Sequence, residues 1–586
     1  MFTLIRKMKK REWLMAIICA LLVLAQIFFD LKLPDFMSDL TILIKTEGSR
    51  ISDILMTGLK MLVCTLISAT LAVACGFLAS KTAAGLSLTI RSDIFKKVSE
   101  FGQEEMLQFS VPSLINRTTN DITQIQMFIA IGLQLLIKAP VMAVWAIIKI
   151  VNKSLNLSLI TAAFVVAILS MMAVVIVVVV PRFRKVQKLT DNVNLVAREN
   201  LTGLNVIHAF NAEDYQNSKF EEANSSLMKT QLFNQRTFAI MMPFVNFAMN
   251  ALSLVILWVG ASIVNSVPAT DIAMRVSTFG DIVVFGTYAS YVVMSLMMLV
   301  MIFMFLPAAQ VSATRINQVL KTNSSLMEGD QTRSSEKGSV EFRNVSFHYP
   351  SSDKNVLEDI SFSARRGETV AIIGATGSGK TTLVGLIARF YDVTSGEVLV
   401  DGVNVKDYSF DALYDRVGFI TQKPVLFSAS VKDNVLFGES NGKNTQDNAE
   451  QALDIAQASD FVDKMPNGIN SPIAQGGANL SGGQKQRISI ARAIAREPEI
   501  LVFDDSFSAL DYKTDALLRK ELGQKLKHTT KIIVAQRIGT IRNADKIIVL
   551  DEGQSVGVGT HDELLASCEV YREIAMSQLS AEELEN

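Results

Sequence analysis

Val370-Ala-Ile-Ile-Gly374-Ala-Thr376-Gly377-Ser378-Gly379-Lys380-Thr381-Thr382-Leu-Val-Gly-Leu-Ile387 is the stretch that decides the fold of the C-terminal half. Four apolar residues predict a buried strand. A glycine loop follows, and then an apolar helix opened by Lys380 and two threonines. This is the strand, loop and helix context that a phosphate-binding loop requires. Gly374, Gly377 and Gly379 let backbone N–H groups close around phosphate oxygens, with Thr376 and Ser378 between them. The helix N-terminus adds a favourable dipole. Lys380 has the reach for terminal phosphates, and the Thr381 hydroxyl suits Mg²⁺.

Working outward, the α/β pattern begins at Val340, where short β-branched runs alternate with helical stretches. Ile500-Leu-Val-Phe-Asp504 reads as a buried strand ending in a carboxylate, the expected second partner of Mg²⁺. Upstream of Val340 the solvent preference changes. The 586-residue chain is 49% hydrophobic and 19% charged. Six apolar segments of membrane-spanning length, at roughly 13–34, 53–80, 127–149, 156–180, 238–265 and 281–307, fall in the N-terminal half. Positive charge is densest before the first segment (Arg6, Lys7, Lys9, Lys10, Arg11) and in the two long polar connections, 82–126 and 181–237 (Arg91, Lys96, Lys97, Arg117; Arg182, Arg184, Lys185, Lys188). That asymmetry places the N-terminus, both connections and the C-terminal half in the cytoplasm. The first segment is read as a retained span, because Asp30-Leu-Lys-Leu-Pro34 after it carries no small-residue cleavage pattern. The expected division is a membrane domain over 1–321, a polar linker over 322–339 and a nucleotide-binding domain over 340–586.

Net charge is −1, so bulk charge gives no reason to expect a nucleic-acid partner. The four cysteines, Cys19, Cys64, Cys75 and Cys568, have no metal or disulfide spacing and read as small hydrophobes. Two membrane features stay open. Lys138 inside the third span faces a watery cavity, snorkels to an interface, or marks a misplaced boundary. Met294, Met297, Met298, Met301 and Met304 in the sixth span suit an adaptable apolar pocket, but lipid-facing or packing roles fit them slightly better.

The motif that narrows the family is Leu480-Ser481-Gly482-Gly483-Gln484-Lys-Gln-Arg487. With the phosphate loop before it and Asp504 after it, it closely resembles the signature of ATP-binding cassette proteins. The resemblance extends to the six spans with two long cytoplasmic loops, which look like the membrane domain of exporter-type members. It implies a six-helix membrane domain followed by an α/β P-loop cassette, with ATP and Mg²⁺ as cofactors. Leu114-Ile-Asn-Arg-Thr-Thr-Asn-Asp121, and Arg198-Glu-Asn-Leu-Thr-Gly203 followed by Val206-Ile-His-Ala-Phe210, resemble the intracellular loops. By the resemblance, short coupling helices are expected near 118–126 and 209–216.

Further roles follow from the same resemblance. Tyr349, in Val345-Ser-Phe-His-Tyr-Pro350, matches the aromatic that stacks on adenine. Gln422 matches the loop glutamine that touches Mg²⁺ and faces the membrane domain. Ser481, Gly482, Gly483 and Gln484 are expected on the γ-phosphate of a facing cassette, and Asp511, in Ser508-Ala-Leu-Asp511, in the loop that crosses between cassettes.

The sequence departs from the family where hydrolysis is expected. The catalytic glutamate is replaced by Asp505 and the switch histidine by Gln536, in Val534-Ala-Gln-Arg-Ile. Aspartate is one methylene shorter, and a misplacement of about 1 Å costs on the order of 10²-fold. Glutamine cannot exchange a proton as imidazole can. Gln475 stands before the signature where many relatives carry glutamate. The combination resembles the degenerate-site subunit of heterodimeric bacterial exporters. The expected function is ATP-driven export of drugs, lipids or peptides across the cytoplasmic membrane, in a pair with a second half-transporter. Uptake of metal–siderophore complexes and a nucleotide-gated channel or regulator are the alternatives.

Overall fold

The computed structural model describes residues 1–578 except 47, 269, 351 and 439–444, with backbone alone at 176, 180, 183, 184, 303 and 304. The side chains of Arg184 and Met304 therefore lie outside the described residues. The chain divides into two compact units: Met1–Val98 with Pro112–Lys321, and Ser99–Val111 with Thr322–Asn586.

The first unit is helical. A turn, α1 (Phe2–Ile5), leads into α2 (Lys10–Lys45) and α3 (Ile51–Ser99). The connection holds α4 (Gln103–Phe109) and α5 (Val111–Thr118), before α6 (Asn120–Val151) and α7 (Leu155–Thr202). Then come α8 (Leu204–Ala209), α9 (Glu213–Ser266) and α10 (Ile272–Lys321). Six helical stretches among the described residues are long and apolar enough to cross a membrane. At 1.5 Å per residue, a 49-residue helix such as α3 runs on the order of 70 Å, about twice what the hydrocarbon core requires. The long polar connections are thus mostly continuations of the spanning helices themselves. The expected coupling positions need correction. Residues 120–126 already belong to α6, and the separate short helix is α5. In the second loop the short helix is α8, ending four residues before α9 with Asn211 at φ 50°. Thr119, with φ −112° and ψ −82°, breaks the first connection earlier than the motif suggested.

Lys138 is paired inside the helical unit. Its Nζ lies 3.2 Å from Asp30 Oδ2, linking α6 to α2, and Ser68 of α3 donates to the other oxygen of Asp30. Toward the end of α6, Lys149 meets Asp35 at 2.9 Å, and the Tyr288 hydroxyl donates to Asp35 and to the Leu31 carbonyl, each at 2.8 Å. Lys153 pairs with Asp281 of α10. Each of these carboxylates has a lysine partner, and Asp30 and Asp35 also accept from a hydroxyl. Cys19 and Cys75 sit in mutual contact, Sγ to Sγ 3.1 Å, buried as thiols between α2 and α3. Met294 and Met301 are exposed on α10, whereas Met297 packs partly against the helix core.

The second unit carries two sheets. β1 (Val340–Phe347), β2 (Leu357–Ala364), β4 (Ser395–Val400) and β5 (Val403–Asn404) form an antiparallel sheet in the order β2-β1-β4-β5. β3 (Thr369–Gly374), β6 (Val417–Ile420), β7 (Ile500–Asp504), β8 (Thr530–Val534), β9 (Lys546–Asp551) and β10 (Gln554–Gly559) form the main sheet, ordered β10-β9-β3-β8-β7-β6. Its members pair in parallel except β10. The central strands are continuous apolar runs, as burial on both faces demands. Helices α11 (Lys380–Ile387), α12 (Phe410–Arg416), α13 (Val431–Val435), α14 (Gln446–Ile455), α15 (Ser459–Val462), α16 (Gly482–Ala495), α17 (Tyr512–Lys525), α18 (Ile538–Ile541), α19 (His561–Ser567) and α20 (Glu569–Gln578) complete the unit. Residues 322–339, expected as a linker, are part of this unit. Gln331 bridges to Tyr408, the Arg389 guanidinium donates to the Met327 carbonyl at 2.7 Å, and Glu105 of α4 accepts from the Ser325 N–H at 2.8 Å.

The Asp30–Lys138 pair makes a thermodynamic prediction. Both side chains are about one-fifth exposed. Lys138→Met leaves a carboxylate short of its cation and is expected to cost about 1–2 kcal/mol. The double variant Asp30→Asn/Lys138→Met should recover most of that loss. Thermal unfolding of the detergent-purified chain measures both, and a double variant no more stable than the single one would refute the pairing.

Candidate functional site

The candidate site forms where parallel strands end. β3 runs into the phosphate loop, β7 into Asp504 and Asp505, β8 into Gln536, and β6 into Gln422, so four carboxyl ends converge on one edge. Ligands bind at that edge of an open parallel sheet.

The loop needs its glycines for separate reasons. A Cβ on Gly374 would lie 2.1 Å from the Leu550 carbonyl oxygen. Gly377 and Gly379 hold φ of 90° and 96°, and a Cβ on Gly377 would meet nothing within 4 Å, leaving a cradle open for an anion. Gly379 caps α11, whose first three residues are Lys380, Thr381 and Thr382. Lys380 Nζ donates to the carbonyls of Gly374 and Ala375, at 2.8 and 2.7 Å. The Thr381 hydroxyl donates to Asp504 Oδ1 at 2.9 Å. A hydroxyl, an adjoining carboxylate and the Gln422 amide oxygen are the hard oxygen donors Mg²⁺ prefers, with few protein ligands needed. Thr381, Asp504 and Gln422 therefore fit an ATP-bound Mg²⁺.

Tyr349 sits at the side of this cradle. Its hydroxyl bonds the Thr382 hydroxyl at 2.8 Å, and its ring stands edge-on to Phe347 and Tyr391. Tyr391 escaped sequence reasoning, although Phe390-Tyr391 directly after the loop helix was an available signal. Burial pushes the Lys380 ammonium down, against the attraction of Asp505 and Asp504. Burial pushes the Asp504 carboxyl up, against the Thr381 hydrogen bond. A lysine facing two buried carboxylates suits a polyanion carrying its own cation.

Asp505 is held on both sides. It adopts φ 48°, and its Oδ2 accepts from Gln422 Nε2 at 3.2 Å and from Gln536 Nε2 at 2.8 Å. Burial raises its carboxyl, and Gln422, Lys380 and Gln536 pull it back. No described histidine is bonded to Asp505. His348 lies against the Tyr349 carbonyl, His561 against the Tyr571 hydroxyl, and His208 against Glu213.

The signature residues form a second constellation. Ser481 caps α16: its hydroxyl accepts from the Gln484 N–H at 3.3 Å, and Gln484 Oε1 accepts from the Ser481 N–H at 2.9 Å. This reciprocal capping box leaves Gly482 at the first helical position, where an added Cβ would meet nothing within 4 Å. Gly483 is closer packed, with a Cβ 3.2 Å from the Ala509 carbonyl. Asp511 caps α17 through the Thr514 N–H at 3.0 Å. Gln475 is exposed in a turn with Gly476 and Gly477 at positive φ. Among the described residues, no hydrogen bond joins Ser481, Gly482, Gly483, Gln484 or Asp511 to the phosphate loop of the same chain.

Residues 13–296 match the family model for the ABC transporter transmembrane region, and residues 357–508 match that for the ABC transporter. An uncharacterized ABC transporter ATP-binding protein of Mycobacterium tuberculosis is 38% identical over 525 residues, covering 89% of this chain and 88% of its own. The ATP-dependent lipid A-core flippase of Pseudomonas aeruginosa is 31% identical over 498 residues, 84% of this chain and 79% of the flippase. A solved bacterial Atm1-family ABC exporter with ATP bound superposes with a TM-score of 0.79 over 98% of this chain and 99% of its own, at 22% identity, a likeness of fold. Spans, phosphate loop, signature and relatives converge: the chain belongs to the ATP-binding cassette (ABC) transporters with the exporter fold, multi-pass membrane proteins in which a membrane region and a cytoplasmic ATP-hydrolysing domain are fused.

Proposed function

We propose that this chain is the nucleotide-holding half of a heterodimeric exporter of amphipathic compounds such as lipids, drugs or peptides. The observation that carries the reading is the pair of amides on one oxygen of Asp505. A base that activates water needs a lone pair aimed at that water and a partner to relay the proton. Asp505 is short of the expected reach, and its neighbour Gln536 offers an amide that neither gives nor takes a proton. The phosphate loop, Thr381, Asp504 and Tyr349 retain the contacts for Mg²⁺–ATP, so binding survives where chemistry is weakened. Ser481, Gly482, Gly483 and Gln484 are free to close a site on a second half, and Asp511 sits on the connecting loop. The relative named as a lipid A-core flippase supports a lipidic or amphipathic cargo.

Expressed alone, the chain should hydrolyse ATP at no more than a few per cent of the rate of a co-expressed pair with a glutamate- and histidine-bearing half. Equal steady-state rates would refute the heterodimer. Restoring Asp505→Glu and Gln536→His in the chain alone should raise its ATPase about tenfold or more, since both the geometry and the proton relay return.

The two constellations separate by mutation in the pair. Gly482→Asp has room within its own chain, and an acid in the first helical turn is compatible with the dipole, so the variant folds. On the partner's nucleotide it sets a negative charge where a backbone donor is needed, and turnover should fall at least 10²-fold. Asp505→Asn should cost less than threefold. An equal loss for the two variants, in steady-state ATPase, would make Asp505 a working base.

A further inference from the structure

Two hydrogen bonds tie the last described residue of the second unit to the loop that carries Gln536. Gln578 Nε2 donates to the Gln536 carbonyl at 2.8 Å, and Gln578 Oε1 accepts from the Ile538 N–H at 2.9 Å. One side-chain amide thus brackets the peptide on both sides of Arg537, as a neighbouring strand would. Ile538 is the first residue of α18, whose cap, Arg537, supplies no side-chain bond. Gln578 satisfies that orphan N–H from a distant helix.

The anchor behind Gln578 is firm. Tyr571 and Ala575 of α20 are fully buried. The Tyr571 hydroxyl bonds His561 Nδ1 at 2.7 Å, joining α20 to α19, and the Arg572 guanidinium donates to the Leu565 and Ala566 carbonyls at 2.8 and 2.9 Å. From this base a continuous chain of bonds runs inward: Gln578 to the Gln536 backbone, the Gln536 side chain to Asp505, and Gln422 to the same carboxylate oxygen. Gln536 and Arg537 are exposed, so little else packs on the loop they form.

We infer that Gln578 is a positioning residue for the Gln536 loop, and that the C-terminal helix thereby sets how long nucleotide stays in this chain's site. The inference rests on the site holding Mg²⁺–ATP. With the bracket intact, Gln536 stays directed at Asp505 and at the space before the phosphate loop. With it gone, the two exposed residues between the anchors at Ala535 and Ile538 are steadied mainly by the Gln536–Asp505 bond.

The experiment uses the full-length purified chain in lipid nanodiscs and a fluorescent ATP analogue with Mg²⁺, chased with unlabelled ATP. Gln578→Ala should release the analogue about fivefold faster, the factor of one ordinary hydrogen bond, with an unchanged melting temperature. Gln578→Glu keeps the acceptor for the Ile538 N–H and loses the donor to the Gln536 carbonyl. It should release at an intermediate rate, a grading that a merely structural role would not produce. Lys380→Ala, which should abolish capture, controls for the site itself. Capture by the parent with unchanged release in both Gln578 variants overturns this inference alone. So does faster release that only tracks a fall in melting temperature. A parent that captures no analogue overturns the nucleotide-holding reading as well.

Discussion

Parallel pairing of β3 between β9 and β8 is the constraint from which the rest of the cassette follows. Parallel strands must all point their carboxyl ends one way, and each must be joined to the next by a crossover. Once β3, β8, β7 and β6 lie side by side, the phosphate loop, Gln536, the two aspartates and Gln422 emerge at one edge whatever their separation in sequence. The strands reach that arrangement because Ile372, Val502 and Ile532 are apolar on faces that are fully buried. The helices carried by the crossovers then supply the positive ends that an anion requires.

At that edge a single carboxylate oxygen gathers two of the converging loops. Asp505 Oδ2 accepts two amide hydrogens, and the residues that donate them come from β6 and β8 on opposite sides of β7. A glutamate would project its carboxylate further from the same backbone, and an imidazole at 536 could relay a proton through it. With aspartate and glutamine both amides converge on Oδ2, and the other carboxylate oxygen keeps its lone pairs. The shared oxygen ties the loops after β6 and β8 to the end of β7. Burial raises the proton affinity of Asp505, and the two amides with Lys380 draw it back.

Much of this was legible in the sequence. The glycine loop between an apolar strand and an apolar helix, the carboxylate ending Ile500–Asp504 and the six long apolar runs are local patterns, and local patterns survive in one dimension. What the sequence withheld is non-local. The Lys138–Asp30 pair joins positions 108 residues apart, and nothing near either residue announces the other. The short helices of the two connections lie several residues before the segments expected from the motifs, because a helix break such as that at Thr119 depends on backbone angles, which composition does not encode. Residues 322–339 read as a linker from their polarity, but polar residues also serve as edge-binding segments when their backbone finds partners such as Tyr408 and Asp407. Gln578 lay beyond every recognisable motif, and only its two bonds give it meaning.

The same logic explains why the capping box at Ser481 is intact while Asp505 and Gln536 have drifted from the family pattern. Ser481 and Gln484 satisfy each other within one helix turn, so their geometry is fixed before any nucleotide arrives. Gly482 is left with an open Cβ position and a free N–H, which are of use only to a ligand approaching from outside the chain. Asp505 and Gln536, by contrast, are turned inward on Gln422. On the proposed reading, one half of the nucleotide chemistry serves the chain's own cradle and the other faces a partner. That division is what the proposed heterodimer requires: the outward-facing cap completes a partner's site, and the chain's own cradle holds nucleotide.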